Sequence, residues 1–107
     1  MKKTLIDFLL NDLRPRPGMY LTAYSLSYLN IYLTGVQITC DHLTNGQQYL
    51  NDFFGQNGFL QWSWEKYSLG HPPYRLDHYL EFTNENEQEA LNLFFDDLEE
   101  YYTKKNI

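Results

Sequence analysis

The stretch Arg14-Pro15-Arg16-Pro17-Gly18-Met19-Tyr20-Leu21, with the run Tyr24-Ser25-Leu26-Ser27-Tyr28-Leu29-Asn30-Ile31-Tyr32-Leu33-Thr34-Gly35-Val36-Gln37-Ile38-Thr39-Cys40 behind it, decides how this chain is read. Pro15 and Pro17 lack a backbone N–H and hold φ fixed, so no helix runs through them. The residues before them, Arg14 and Arg16, are pushed towards extended backbone, and Gly18 supplies the freedom to turn. Beyond that corner, Leu26, Leu29, Leu33, Val36, Cys40 and Leu43 recur every three or four residues and share one helical face. Tyr24, Tyr28 and Tyr32 form a second stripe, which leaves Ser27, Asn30, Thr34, Gln37 and Asp41 as a narrow polar side. Surface helices have a wider polar side. The pattern therefore predicts a helix over 24–43 at the centre of the fold, covered by the rest of the chain.

Upstream, residues 2–13 read as a first helix through Leu5, Phe8, Leu9 and Leu13 (or Asp12), ended by Pro15. Downstream, Asn45-Gly46 is a turn dipeptide, and its flanks do not alternate, so it joins two helices. Gln47 to Phe54 predicts a short helix with Tyr49, Leu50, Phe53 and Phe54 on one side, stopped by Gly55 and Asn57-Gly58. The segment from Gly58 to Tyr67 fits two periods: Leu60 to Trp64 alternates like a strand, while Phe59, Trp62 and Lys66-Tyr67 fit a helix. Its length and helical surroundings favour the helix. Gly70 and Pro72-Pro73 place a loop over 68–73, and Leu76 to Phe82 is a short amphipathic piece with Leu76, Tyr79, Leu80 and, as a further candidate, Phe82 turned inwards. Asn84 and Glu87 predict a capping box for a last helix. In that helix Leu91, Phe94, Phe95, Leu98, Tyr101 and Tyr102 form the core face. Glu85, Glu87 and Glu89 lie at its positive end, Lys104 and Lys105 at its negative end. No repeat or linker interrupts the chain. The expectation is one all-α domain over residues 1–107, a compact bundle of about five helices around a central apolar helix.

A chain of 107 residues with ten tyrosines and seven phenylalanines can bury a core without metal or disulfide staples. One cysteine excludes an internal disulfide, and three scattered histidines give no zinc-type spacing. The free thiol suits a reducing compartment, which makes the cytoplasm the expected location. The first residues resemble the charged start of a signal peptide, but Asp7, Asn11, Asp12 and Arg14 break the apolar stretch too early. No run approaches the roughly 20 apolar residues of a membrane span.

Charge is informative through its placement. From Leu76 to Thr103 stand Asp77, Glu81, Glu85, Glu87, Glu89, Asp96, Asp97, Glu99 and Glu100, nine of the fourteen acidic residues, with no Lys or Arg among them. Glu85, Glu89, Asn92, Asp96 and Glu99 follow a 4-3-4-3 spacing that makes a continuous acidic stripe, and Leu93, flanked by Asp97 and Glu100, falls at its edge. No Lys or Arg stands four residues on to neutralise the stripe. Such a surface repels a phosphate backbone, which argues against direct nucleic-acid binding. It attracts a basic protein.

Catalytic candidates are few. Asp77 and His78, with His71 a loop away, are the one group that suggests acid/base or metal work, but adjacent side chains diverge on a regular backbone and form no preformed dyad. Cys40, Asp41 and His42 fan apart by roughly 100° per residue on a helix, so Cys40 reads as a small core residue. No catalytic residue, cofactor or metal is expected.

Two resemblances bear on function. Arg16-Pro17-Gly18-Met19-Tyr20 is similar to the RPGMYIG segment near the start of the ATPase domain of type II topoisomerase B subunits. The nucleotide-binding motifs that follow in that family are absent here, so the likeness is one of a shared turn. A broader resemblance spans the initial helix, Arg-Pro-Gly-Met-Tyr-Leu, the Ser-Leu-Ser helix, Phe53-Phe54, the aromatic segment around Trp62, and Ala90-Leu91-Asn92-Leu93-Phe94-Phe95-Asp96-Asp97-Leu98. In these features the chain resembles small bacterial immunity proteins of contact-dependent growth inhibition and polymorphic toxin systems. It carries Thr22 where that group has a glycine, and its 68–73 loop is its own. The resemblance implies a cytoplasmic protector that binds and blocks a cognate toxin domain. The acidic run suggests that the toxin is a basic nuclease, an RNase favoured, covered by Asp77, Glu81, Glu85, Glu89, Leu93, Asp96, Asp97, Glu99 and Glu100. The alternative is a non-enzymatic adaptor that oligomerises through the tyrosines and Trp62/Trp64.

Overall fold

In the computed structural model, residues 3–105 are described, and every regular element among them is helical. Helix α1 (Leu5–Phe8) runs directly into a π-helical turn at Leu9–Leu13. Asp7 accepts from the Thr4 N–H at 3.0 Å and closes the N-terminal turn. The wider turn ends with the Arg14 N–H on the Leu9 carbonyl, five residues back. The Lys2 end of the expected first helix lies outside the described residues. A short 3-10 turn at Pro17–Met19 makes the corner, with proline at its start where no N–H is needed.

Helix α2 (Leu26–Asp41) follows, capped by Ser25, whose hydroxyl accepts from the Tyr28 N–H. Helix α3 (Gly46–Phe54) packs closely behind it: a Cβ on Gly46 would stand 1.9 Å from the Cys40 carbonyl oxygen, so the crossing requires glycine. Helix α4 (Phe59–Lys66) resolves the ambiguous aromatic segment as helix. Helix α5 (Asp77–Phe82) and the long α6 (Glu87–Lys105) complete the bundle. The expected Asn84 cap does not form. Asn84 and Glu85 both adopt positive φ (53° and 65°), and the Glu85 N–H returns to the Leu80 carbonyl to close α5. Asn86 caps α6 instead, its Oδ1 accepting from the Gln88 and Glu89 N–H groups.

A helical bundle forms, but the helix at its centre is the amphipathic α6, not the apolar α2. Seven α6 residues are buried, Ala90, Leu91, Phe94, Phe95, Asp97, Leu98 and Tyr101, against four on α2. Phe94 is the hub of the aromatic core, with ring centroids 5.5 Å from Phe59, 6.0 Å from Tyr79, 6.2 Å from Phe53 and 5.3 Å from Phe95. These pairs are edge-to-face or tilted, which suits the ring quadrupoles. Helix α2 lies at the edge. Leu26, Leu29, Leu33 and Cys40 face inward, while Ile31 (68%) and Ile38 (57%) are mostly exposed. Leu43, expected in the core, is 59% exposed because the helix stops at Asp41 and the chain turns away. The tyrosine stripe also divides. Tyr32 packs in a ring cluster with Phe8 and Tyr20, Tyr24 donates to Asn92 of α6, and Tyr28 points outward. No helix among the described residues is long and apolar enough to cross a membrane.

Candidate protein-binding surface

The acidic run Asp77–Glu100 does not form one surface, because the fold divides it into two zones of different chemistry. The first is the C-terminal half of α6. Asp97 is 3% exposed and sits at the end of a buried polar chain. Lys66 donates to its Oδ1 at 2.8 Å, and the Tyr67 and Tyr79 hydroxyls donate to its Oδ2 at 2.6 and 2.9 Å. Because the single Tyr79 hydroxyl proton goes to Asp97, Ser63 must donate to the Tyr79 oxygen at 2.7 Å. His78 Nε2 then donates to Ser63 Oγ at 2.9 Å. The protons are thus ordered from His78 through Ser63 and Tyr79 to the carboxylate.

The environment fixes the charge states. Burial of His78 lowers its pKa to about 4, so the ring is neutral near pH 7. Burial raises the Tyr67 pKa to about 12, and its hydrogen bond to Asp97 adds to the effect. For Lys66, burial works against the charge, but the hydrogen bonds to Asp97 and Glu100 outweigh it and raise its pKa. Lys66 also donates to Glu100 at 3.1 Å, and Lys104 donates to the same carboxylate at 3.0 Å. Both ammonium groups stand over the Trp62 ring, 5.4 and 5.7 Å from its centroid. Arg14 serves the other side of the helix. It lies 3.8 Å from Asp96 and 3.6 Å from Glu99, with its guanidinium 5.6 Å from the Phe95 centroid.

This geometry corrects the expected site. Asp97 is a buried structural anion and not a contact residue. Leu93 is half-buried and packs against the core instead of standing at an open edge. Asp96, Glu99 and Glu100 are matched by cations from other elements: Arg14 before the proline corner, Lys66 on α4 and, for Glu100, also Lys104 one turn on.

The second zone is the corner where α5 turns into α6. Asp77 and Glu81 are four residues apart on one side of α5, and Glu85 and Glu89 follow through the turn; all four are exposed. Asp77 meets Arg75 at 3.3 Å. Among the described residues, Glu81, Glu85 and Glu89 have no cation within ion-pair distance, and within the acidic run they remain as the uncompensated surface. Glu87, between them, is turned away. Its Oε1 accepts from the Ser27 N–H at 2.9 Å and the Ser25 hydroxyl at 3.0 Å, and its Oε2 accepts from the Ser27 hydroxyl at 2.6 Å. It caps α2 from another helix, an anion at the positive end of the dipole. The Ser27 hydrogen bond is the main reason its pKa is lowered. The cross-helix contacts of Lys66, Arg14 and Glu87 join residues from about 30 to about 85 positions apart and leave no mark on local sequence.

The catalytic candidates stay apart. His78 is buried at 2% exposure with its Nε2 on Ser63, Asp77 points to Arg75, and His71 is on the exposed loop. Among the described residues no group of three or more His, Cys, Asp or Glu is placed to hold a metal ion. Beside the acidic corner, a groove of about 430 Å³ runs between α2 and the Pro72–Leu76 segment, with Leu33, Phe53 and Leu60 on its floor and Asn30, Thr34 and Gln37 on its rim. No protein-family model matches this chain, and no curated protein and no solved structure matches it.

Proposed function

We propose that this chain is a cytoplasmic immunity protein that binds a cognate toxin domain and neutralises it without chemistry of its own. The toxin is a basic nuclease, an RNase in the favoured reading. The observation that carries the proposal is the α5–α6 corner, where Glu81, Glu85 and Glu89 are exposed without counter-ions while the neighbouring carboxylates of α6 are matched from within the fold. A stripe left bare beside one so thoroughly paired supports a role in attracting cations from outside. Carboxylates at this corner would take positions that substrate phosphates occupy in a nuclease cleft, accept charge-assisted hydrogen bonds from its Arg and Lys side chains, and exclude RNA. Steering by the bare charge makes association fast and salt-sensitive.

The adaptor reading loses support in one respect. Trp64 is buried and Trp62 is half-buried under two lysines, so neither tryptophan offers a free aromatic surface.

Co-expression with the C-terminal domain of whatever protein is encoded directly upstream tests the proposal. The two chains should purify together, and added protein should abolish RNA cleavage at one equivalent. Separate elution with undiminished cleavage contradicts it.

A further inference from the structure

The groove beside α2 continues into a second cavity, and the two make one trench. The groove, about 430 Å³, lies between α2 and the Pro72–Leu76 segment. The second cavity, about 220 Å³, lies between α2 and α5 and shares Asn30, Leu76 and Asp77 with the first. Along α2 the trench runs from Gln37 to Ser27, about 15 Å, the length of four or five extended residues. Phe54 and Leu60 are half-buried on its floor and leave apolar surface open to one bulky side chain. Asn30 and Gln37 are exposed on the rim, seven residues apart and so about 10.5 Å from each other along the helix. Neither side-chain amide has a hydrogen-bond partner among the described residues. A primary amide both donates and accepts, which matches a peptide backbone whatever its sequence. Pro72 and Pro73 fix φ along the opposite wall, so the trench is shaped before anything enters it.

Charge gives the chemistry of the occupant. Asp77 stands where the two cavities meet, and Glu81 follows one turn on along the same side of α5. Arg75, the cation in the lining, lies 3.3 Å from Asp77, but both side chains are mostly exposed and Arg75 also stands over the Trp64 ring. An exposed pair of this kind holds its carboxylate weakly and gives way to a better-placed cation. A second copy of this acidic chain would bring another Asp77 and Glu81 to the same place, whereas a basic segment gains there. We propose that the trench takes an extended segment of the toxin domain. One bulky apolar side chain of that segment covers Phe54 and Leu60, its backbone pairs with the Asn30 and Gln37 amides, and a Lys or Arg reaches Asp77. On the immunity reading, on which this assignment rests, the bare glutamates set how fast the partner arrives and the trench sets how long it stays.

The rate at which the full chain dissociates from the domain that co-purifies with it tests the assignment. Asn30→Ala/Gln37→Ala should speed dissociation about tenfold, and Thr34→Trp, which puts a ring into the trench, at least about a hundredfold. Association should stay within about twofold of wild type in both. All three positions are exposed on α2, so the circular dichroism melts should not move. Wild-type dissociation in both variants, with melts unchanged, overturns the assignment and leaves the immunity reading standing. A wild-type chain that captures no domain overturns both. Self-association of the free chain that Thr34→Trp abolishes puts a second copy in the trench and overturns the assignment alone.

Discussion

Asp97 and Glu89 stand two turns apart on the same helix, are both acidic side chains, and do opposite things. Asp97 is enclosed by Lys66, Tyr67 and Tyr79. Glu89 is exposed at the corner with no cation near it. The difference is supplied by what packs opposite. The C-terminal half of α6 faces α4 and the segment before the proline corner, which carry Lys66 and Arg14, whereas its N-terminal end faces α5 and the start of α2, which bring no cation but Arg75. Acidic density in a sequence therefore does not define a surface; the cations that the fold delivers decide which carboxylates are left over.

The largest expected effect comes from breaking the paired zone. Asp97→Ala removes the acceptor of three hydrogen bonds and leaves Lys66 and two tyrosine hydroxyls without it, which should cost about 4 kcal/mol in urea unfolding. Glu89→Ala should stay within about 0.5 kcal/mol. Equal losses at the two positions would erase the distinction between the zones.

A slightly smaller effect separates the zones by pH. His78 titrates near 4 in the fold and near 6.5 when unfolded, so the unfolded chain binds the extra proton first. Stability from this residue is complete above about pH 6.5 and falls by about 3 kcal/mol as pH drops towards 4. His78→Phe should flatten the unfolding free energy across that window; an unaltered slope would contradict the neutral, buried histidine. Smaller again is Arg14→Ala. Its ion pairs are long and its carboxylate partners exposed, so most of the loss comes from packing on Phe95, about 1 kcal/mol by thermal unfolding.

The helices were legible because they rest on local signals. Proline at 15 and 17, glycine at 55 and 58, and the 3.6-residue recurrence of Leu91, Phe94 and Leu98 mark boundaries and faces directly. Two features were not. Helix α2 reads as central because the Tyr24, Tyr28 and Tyr32 stripe narrows its polar side, yet periodicity cannot tell a ring that packs inward, as Tyr32 does, from one that faces outward, as Tyr28 does. The acidic run reads as continuous because its cations, Arg14 and Lys66, arrive from distant elements. The Asn84 cap failed for a related reason: Asn86 serves equally well by residue type, and the tertiary use of Glu87 as a cap for α2 favours the later start.

On the proposed function, Glu81, Glu85 and Glu89, and not the cation-paired Asp96, Glu99 and Glu100, recruit the basic partner. Stopped-flow association of the Glu81→Lys/Glu85→Lys/Glu89→Lys variant with the toxin domain that co-purifies with wild type, followed against salt beside an Asp96→Asn/Glu99→Gln variant, is the test. The triple reversal should slow association at least about a hundredfold at low salt and remove its salt dependence, with stability unchanged and the second variant close to wild type. Wild-type association by the triple reversal, or its loss in the second variant alone, would contradict it.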